Sequence, residues 1–249
     1  MTTARHVGAI YGLETHAQLL ATSRMPQFLV PSVLLPIIFY AIVGIGLSKG
    51  SEPAARWVLS TYVIFAALTP SMFGFGTVVA AEREAKLIEL KRVFPMPIGA
   101  YLFARMFASV AVVGLALVGV AVLARVAGVQ MPIWRWCALM AIGVAAAIPF
   151  SLIGLNVGLR LGAQGATAVA NLLFLVFSLF GGLWMPLNQL PAWIGKVGWA
   201  LPSFHFAQLA LMLTGSQPTS DVGLHIAILV AMTLAAAVGA WFGWRGQAA

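Results

Sequence analysis

The sequence predicts an all-α, polytopic membrane protein. Its expected parts are six transmembrane helices, an N-terminal amphipathic surface helix, and a re-entrant outer hairpin between spans 5 and 6. Three observations carry this. Hydrophobic residues make up 61% of the 249 positions and charged ones 8%, with a mean hydropathy of +0.99; no soluble fold of this length has enough interior to hide that much apolar surface. The apolar residues fall into blocks of about 20, the length that crosses a bilayer as a helix. Short charged or proline-bearing stretches separate the blocks, so residues 1–249 read as a single transmembrane domain.

Residues 1–24 carry no apolar run followed by a small-residue cleavage site, so a signal peptide is not expected, and 1–26 reads as an amphipathic N-terminal segment. Val7, Ile10, Tyr11, Glu14, Ala17 and Leu20 recur at helical spacing, which predicts an amphipathic helix at the membrane surface. Gln27 to Leu47 is the first span, with Pro31 and Pro36 inside it, and Lys49, Glu52 and Arg56 mark a loop. Trp57 to Ala81 is the second span. Its Thr69-Pro70-Ser71 followed by Gly74 and Gly76 predicts a kink whose freed backbone groups nearby hydroxyls can satisfy.

Between the second and third spans the chain changes character. Seven of its charged residues lie within positions 82–92. At helical spacing Leu87, Leu90 and Phe94 share a face flanked by Ile88 and Val93. Glu82 with Lys86, and Glu89 with Arg92, are spaced to pair on the other side, and Pro95 and Pro97 end the helix. A sharply stopped amphipathic helix over 82–97 fits a docking surface for a soluble partner; a solvated loop with boundary charges fits the composition equally well.

Tyr101 to Ala124 is the third span, with Arg105 near enough to its start to snorkel outward. Arg125 to Pro132 is a loop, Ile133 to Leu159 the fourth span with Pro149, and Ala166 to Met185 the fifth. Pro191 to Leu201 and Ser203 to Thr214 are each about half a span long. Broken by Pro186, Pro191 and Pro202, they predict that 186–215 dips into one face and returns, or else that 200–218 spans as a seventh crossing. Val222 to Phe242 is the sixth span, closed by Trp244 and Arg245.

Orientation follows from the cations. Arg5, Arg24, Arg83, Lys86, Lys91, Arg92, Arg105, Arg160 and Arg245 fall on one side; Lys49, Arg56, Arg125, Arg135 and Lys196 fall on the other. The first side is expected to be cytoplasmic, with both termini. The +8 net charge is scattered between spans rather than gathered in a patch. It fits loops and anionic headgroups of the lipid bilayer better than nucleic acid.

Absences narrow the chemistry. The central parts of the spans carry no Asp, Glu, Lys or Arg, whose insertion costs roughly 2.5–3.5 kcal/mol and usually marks an ion or proton path. A proton- or sodium-coupled carrier loses ground accordingly. Gly46-Leu47-Ser48-Lys49-Gly50 lacks the spacing of a phosphate-binding loop. His6, His16, His205 and His225 have no metal-ligand spacing with Cys137 or a carboxylate, and no nucleophile elbow or paired-carboxylate motif is present. No catalytic residue and no metal site are expected, although an enzyme built from isolated residues, or a scaffold without an ATPase partner, stays open. Gly154 to Gly158 and Gly158 to Gly162 are small-x-x-x-small spacings for close helix approach, within the chain or at a dimer seam.

Two stretches resemble the ABC-2 family of transporter permeases, the membrane halves of bacterial ATP-driven exporters. The first runs from Glu82-Arg83-Glu84 through Leu87-Ile88-Glu89-Leu90 to Pro95-Met96-Pro97. The second runs from Gly181-Gly182 through Pro186, Leu190-Pro191 and Pro202-Ser203-Phe204-His205 to Gln208. The resemblance implies a homodimer in the bacterial cytoplasmic (inner) membrane, each copy bound to a cytoplasmic ABC ATPase, two in all. ATP and Mg²⁺ would be held by those subunits and none by this chain.

It implies that Glu82, Arg83, Glu84, Lys86, Leu87, Glu89, Leu90 and Phe94 form a coupling helix. Leu87, Leu90 and Phe94 would enter an ATPase groove, with Glu82, Arg83, Glu84 and Glu89 setting register. It further implies that Gly182, Pro186, Leu190, Pro191, Pro202, His205 and Gln208 belong to a re-entrant segment closing the outer end. Pro70 and Gly74 are candidate pivots or a static kink. Leu211 departs from the Arg or Gln that many members carry there, and Gln208 is the candidate substitute. The cargo expected is an amphipathic or lipid-linked molecule, moved outward without an enzymatic activity of this chain.

Overall fold

The computed structural model describes residues 4–47, 51–88, 90 and 97–246. All regular structure among them is helical: α1 (Ala4–Ser23), α2 (Pro26–Tyr40) continued by a wider π-helical turn (Ala41–Leu47), α3 (Glu52–Phe75), α4 (Thr77–Glu84), α5 (Ile98–Val126), α6 (Ile133–Arg160), α7 (Ala163–Phe180), α8 (Ala192–Gly198), α9 (Pro202–Thr214) and α10 (Val222–Arg245). Among the described residues six helical stretches are long and apolar enough to cross a membrane: Pro26–Gly46, Glu52–Glu84, Gly99–Val126, Ile133–Arg160, Ala163–Phe180 and Val222–Arg245. The chain is a multi-pass membrane protein with the six spans its hydropathy predicts.

α3 is the central rod. Its middle is apolar on every face, and Leu59, Tyr62, Val63, Ile64, Phe65, Leu68 and Met72 are all buried among α2, α5, α6, α7 and α9. A helix that is apolar all round belongs inside the bundle when neighbours surround it and against lipid when they do not. α10 is the second case: Leu224, Val230, Leu234 and Val238 stay uncovered. Besides the buried Leu229 and Ala240, polar bonds fasten α10. Asn156 Nδ2 donates to the Ala236 carbonyl at 2.8 Å and Arg160 Nη2 to that of Gly239 at 2.8 Å.

The glycines of the fourth span are used inside the chain. A Cβ at Gly154 would lie 2.6 Å from the Met72 carbonyl, and one at Gly158 would lie 2.5 Å from that of Gly76. α6 therefore packs backbone against backbone on the α3–α4 junction, the close approach that small residues permit. Within the stretch expected to kink, regular helix continues through Pro70 and Gly74 and is interrupted at Gly76, where the α6 glycines press. The second span is also longer than Trp57–Ala81, since α4 carries it on through Glu84.

The fifth span ends at Phe180, before the expected Met185. Gly182 takes φ +69°, Gly182 N–H donates to Leu179 O, and Leu183 N–H donates to Ser178 O, a Schellman ending that needs glycine at the left-handed position. Gly215 (φ +77°) ends α9 the same way. α1 lies along α5, its half-buried side formed by Val7, Ile10, Tyr11, Glu14, Thr15, Gln18, Leu19 and Thr22, while Ala17 and Leu20 from the expected face point away.

Candidate functional site

The end of the bundle that carries Glu82-Arg83-Glu84 is organised by those three side chains, and each reaches a different helix. Glu82 Oε2 accepts from Tyr101 Oη at 2.6 Å, and Glu82 Oε1 forms an ion pair with Arg105 Nη2. Arg83 donates to the Leu159 carbonyl and, at 2.8 Å, to that of Leu161. Glu84 Oε1 accepts from the Ala163 N–H at 3.0 Å. The electrostatics follow the helix ends. A guanidinium caps the last carbonyls of α6, where the dipole is negative, and a carboxylate caps the first N–H of α7, where it is positive. A Cβ at Gly162 would strike the Glu84 carboxylate, so the residue before α7 leaves room for its cap.

Two expectations change here. Arg105 does not snorkel: its side chain is 4% exposed, and besides Glu82 it donates to the Gly74 carbonyl at 2.9 Å. A carboxylate and a main-chain oxygen together repay the desolvation that would otherwise expel it. For the same reason Glu82 pairs with Arg105 and not with Lys86. The single helix expected from residue 82 onward is divided as well. α4 stops at Glu84, Ala85 and Lys86 turn the chain with Lys86 at φ +56°, and helical geometry resumes at Leu87.

Beyond the turn, Ile88 is buried against Phe75, Val79, Leu155 and Leu159, whereas Leu87 is 46% exposed and Leu90 58%. Lys86 is exposed beside them. Glu89 and Phe94, the remaining members of the expected coupling surface, lie outside the described residues, as do positions 91–96.

At the opposite end, the segment after α7 forms a short 3₁₀ turn (Leu187–Gln189) behind Pro186, then α8 behind Leu190-Pro191, then α9 with Pro202 in its first turn. Each proline stands at or just inside a helix start, where its missing N–H costs nothing. Both α8 and α9 are too short to cross a bilayer, and α9 is nearly all buried.

His205 on α9 is fully buried. Its Nε2 lies 2.9 Å from the Trp199 carbonyl and its Nδ1 2.7 Å from Nδ1 of His225 on α10. A carbonyl only accepts, so His205 Nε2 carries the proton, His205 Nδ1 is the acceptor, and His225 Nδ1–H is the donor. The Trp199 ring stacks on His225 at 5.5 Å and 24°. Sequence spacing had no means of pairing two histidines 20 residues apart; only the return of the chain through the loop after Gly215 brings them together. The other end of α9 is tied to α3 by a hydroxyl chain: Ser60 Oγ to Thr214 Oγ1 at 2.7 Å, and Thr214 Oγ1 to Ser216 Oγ at 3.0 Å.

Beside α9 opens a cavity of about 340 Å³ whose wall includes Gly182, Pro186, Gln208 and Leu211. Gln208 and Leu211, one helical turn apart, face the same space, so the carboxamide of Gln208 reaches the region that Leu211 leaves apolar. The hairpin residues named from sequence thus divide into turn formers (Gly182, Pro186, Pro191, Pro202), a latch (His205) and a cavity wall (Gln208). Leu190 caps the 3₁₀ turn.

The arrangement is a six-span bundle with a clamp at one end and a short latched hairpin at the other. The profile of the ABC-2 type transporter family matches residues 12–214, which covers the clamp and the hairpin alike. The chain is also 25% identical over 220 residues to the "Putative transport permease YvfS" of Bacillus subtilis (strain 168), a match spanning 86% of this chain and 89% of that protein. With the family profile extending over most of its length, the chain belongs to the ABC-2 type transporter family.

Proposed function

We propose that this transporter membrane subunit is driven by a separate cytoplasmic ATPase, two copies serving a homodimer of this chain in the bacterial inner membrane, and that it exports an amphipathic or lipid-linked molecule. Both termini and the clamp face the cytoplasm in this reading. ATP and Mg²⁺ belong to the ATPase, and the chain's own task is to receive motion and pass it on. Its segment 186–215 enters the outer face and returns, closing the far end of the path.

The observation that carries the reading is the mechanical setting of Leu87 and Leu90. Two large apolar side chains are left uncovered directly after Glu82-Arg83-Glu84, whose bonds lead to α5, α6 and α7. A partner gripping Leu87 and Leu90 therefore pulls on three spans through a few stiff contacts rather than on a slack loop. Such a load shifts the balance between bundle arrangements that already exist, as switching by a docked element requires. Gly76, where the regular helix is interrupted under the α6 glycines, is the natural place for that shift to be absorbed.

The test is co-purification with an ATPase encoded beside this chain. Leu87→Asp with Leu90→Asp is expected to abolish both co-purification and transport while membrane insertion is kept. Retained association with the double variant would overturn the docking surface, and full transport without any ATPase would overturn the reading itself.

A further inference from the structure

The cavity beside α9 has a wall chemistry that sets it apart from the rest of the bundle. It is lined by Trp57 from α3, Asn188 and Gln189 from the 3₁₀ turn, Gln208 from α9, and Ser216 and Gln217 after it. None of its lining residues is charged, yet four are carboxamides. Among the described residues the side-chain hydrogen bonds that fix the hairpin run through His205, Ser60, Thr214 and Ser216 and not through those four amides, of which Gln208 and Gln217 are half-buried and Asn188 and Gln189 exposed.

A carboxamide offers an acceptor oxygen and two N–H donors, and a hydroxyl needs one of each. Rows of amides therefore match a ligand carrying several hydroxyls. No residue of the lining offers a counter-charge to an ionic headgroup. Trp57, Pro186, Leu187 and Leu211 in the same wall are apolar and suit the C–H face of a ring. The volume falls within the range of about 300–1,000 Å³ typical of small-molecule sites. We propose that this cavity binds an uncharged polyhydroxylated group, of glycosyl or polyol type, presented either free or as the headgroup of an amphiphile. The proposal deepens the export reading by naming the polar part of a cargo, but binding itself needs no ATPase.

The experiment uses the purified full chain in phosphatidylcholine nanodiscs without any ATPase, with heats from empty nanodiscs subtracted. Octyl glucoside, octyl phosphocholine and octyl sulfate share a tail and differ in headgroup, and methyl glucoside lacks the tail. Octyl glucoside is expected to bind about tenfold more tightly than either charged-headgroup probe, and Gln208→Leu with Gln217→Leu to remove most of that preference, since each lost amide leaves hydroxyls unpaired. Equal affinity of methyl glucoside would identify a free polyol as the ligand; binding of the octyl compound alone would identify an amphiphile headgroup.

Should the double variant lose its monodisperse elution profile, Gln217→Leu and Asn188→Ala, both outside the α-helices, replace it with the same expected direction. Absence of headgroup preference, or a preference unchanged by these substitutions, overturns the proposal. That result would leave the ATPase co-purification test untouched, so the two readings fail separately.

Discussion

Arg105 is the side chain on which one end of the bundle converges. It is held by the Glu82 carboxylate and the Gly74 carbonyl, and Tyr101 closes the other oxygen of Glu82. Removing one member of a partly buried pair leaves the other less well compensated, whereas replacing both can be nearly neutral. Arg105→Leu alone is therefore expected to lower the thermal midpoint in detergent by more than Arg105→Leu combined with Glu82→Leu. Equal or additive losses in that double-mutant comparison would mean the pair is only incidental. His205 permits a similar ordering. His205→Phe strands both the Trp199 carbonyl and the His225 N–H, while His225→Phe strands only one acceptor; at about 1–3 kcal/mol per unsatisfied group, the first variant is expected to melt lower. Neither residue's role is visible along the chain. Arg105 reads as a span-end cation and His225 as a lone histidine until packing supplies their partners.

Among the elements, the α3–α4 and α6 pair shows how a sequence motif acquires a meaning. The spacing of Gly154 and Gly158 announces a close approach, but α6 alone does not say to what. The structure supplies the backbone of Met72 to Gly76. A methyl at Gly158 would press on two carbonyls, whereas one at Gly165 on α7 would meet only Leu161 Cβ at 3.7 Å. Gly158→Ala is expected to destabilise by about 1–3 kcal/mol, as overpacking does, while Gly165→Ala is neutral or slightly stabilising through helix propensity. Thermal melts of the two variants in one detergent check this, and indistinguishable melts would contradict the contact.

The Glu82-Arg83-Glu84 run belongs at this scale too. Helical periodicity reads it as the start of an amphipathic helix, yet it is the end of a span, because the ends of α6 and α7 present complementary dipole charge to it. Arg83→Ala is expected to leave the carbonyls of Leu159 and Leu161 at the end of α6 uncapped and to loosen hydrogen-exchange protection over Gly158 to Leu161. Unchanged protection there would argue against the cap.

For the whole molecule, the proposed cytoplasmic clamp and outer hairpin fix which loops face which side. In a Cys137→Ser background, Lys86→Cys is expected to react with a membrane-impermeant maleimide only after permeabilisation, and Ser220→Cys in intact cells. Labelling in the reverse pattern would turn the bundle over and remove the docking surface from the cytosol.

What the sequence determined by itself is the kind of object this is. Hydropathy sets span number because a bilayer accepts only helices long and apolar enough to satisfy their own backbone. Proline and glycine positions mark where the short helices of the hairpin begin and end, because those constraints act within a few residues. The tertiary structure alone decided which groups meet: the ion pair that buries Arg105, the three-way clamp of Glu82-Arg83-Glu84, the His205–His225 latch and the amide-lined cavity. Each joins residues on different helices, and in a bundle apolar on nearly every face the hydrophobic pattern says that helices pack without saying which sides touch.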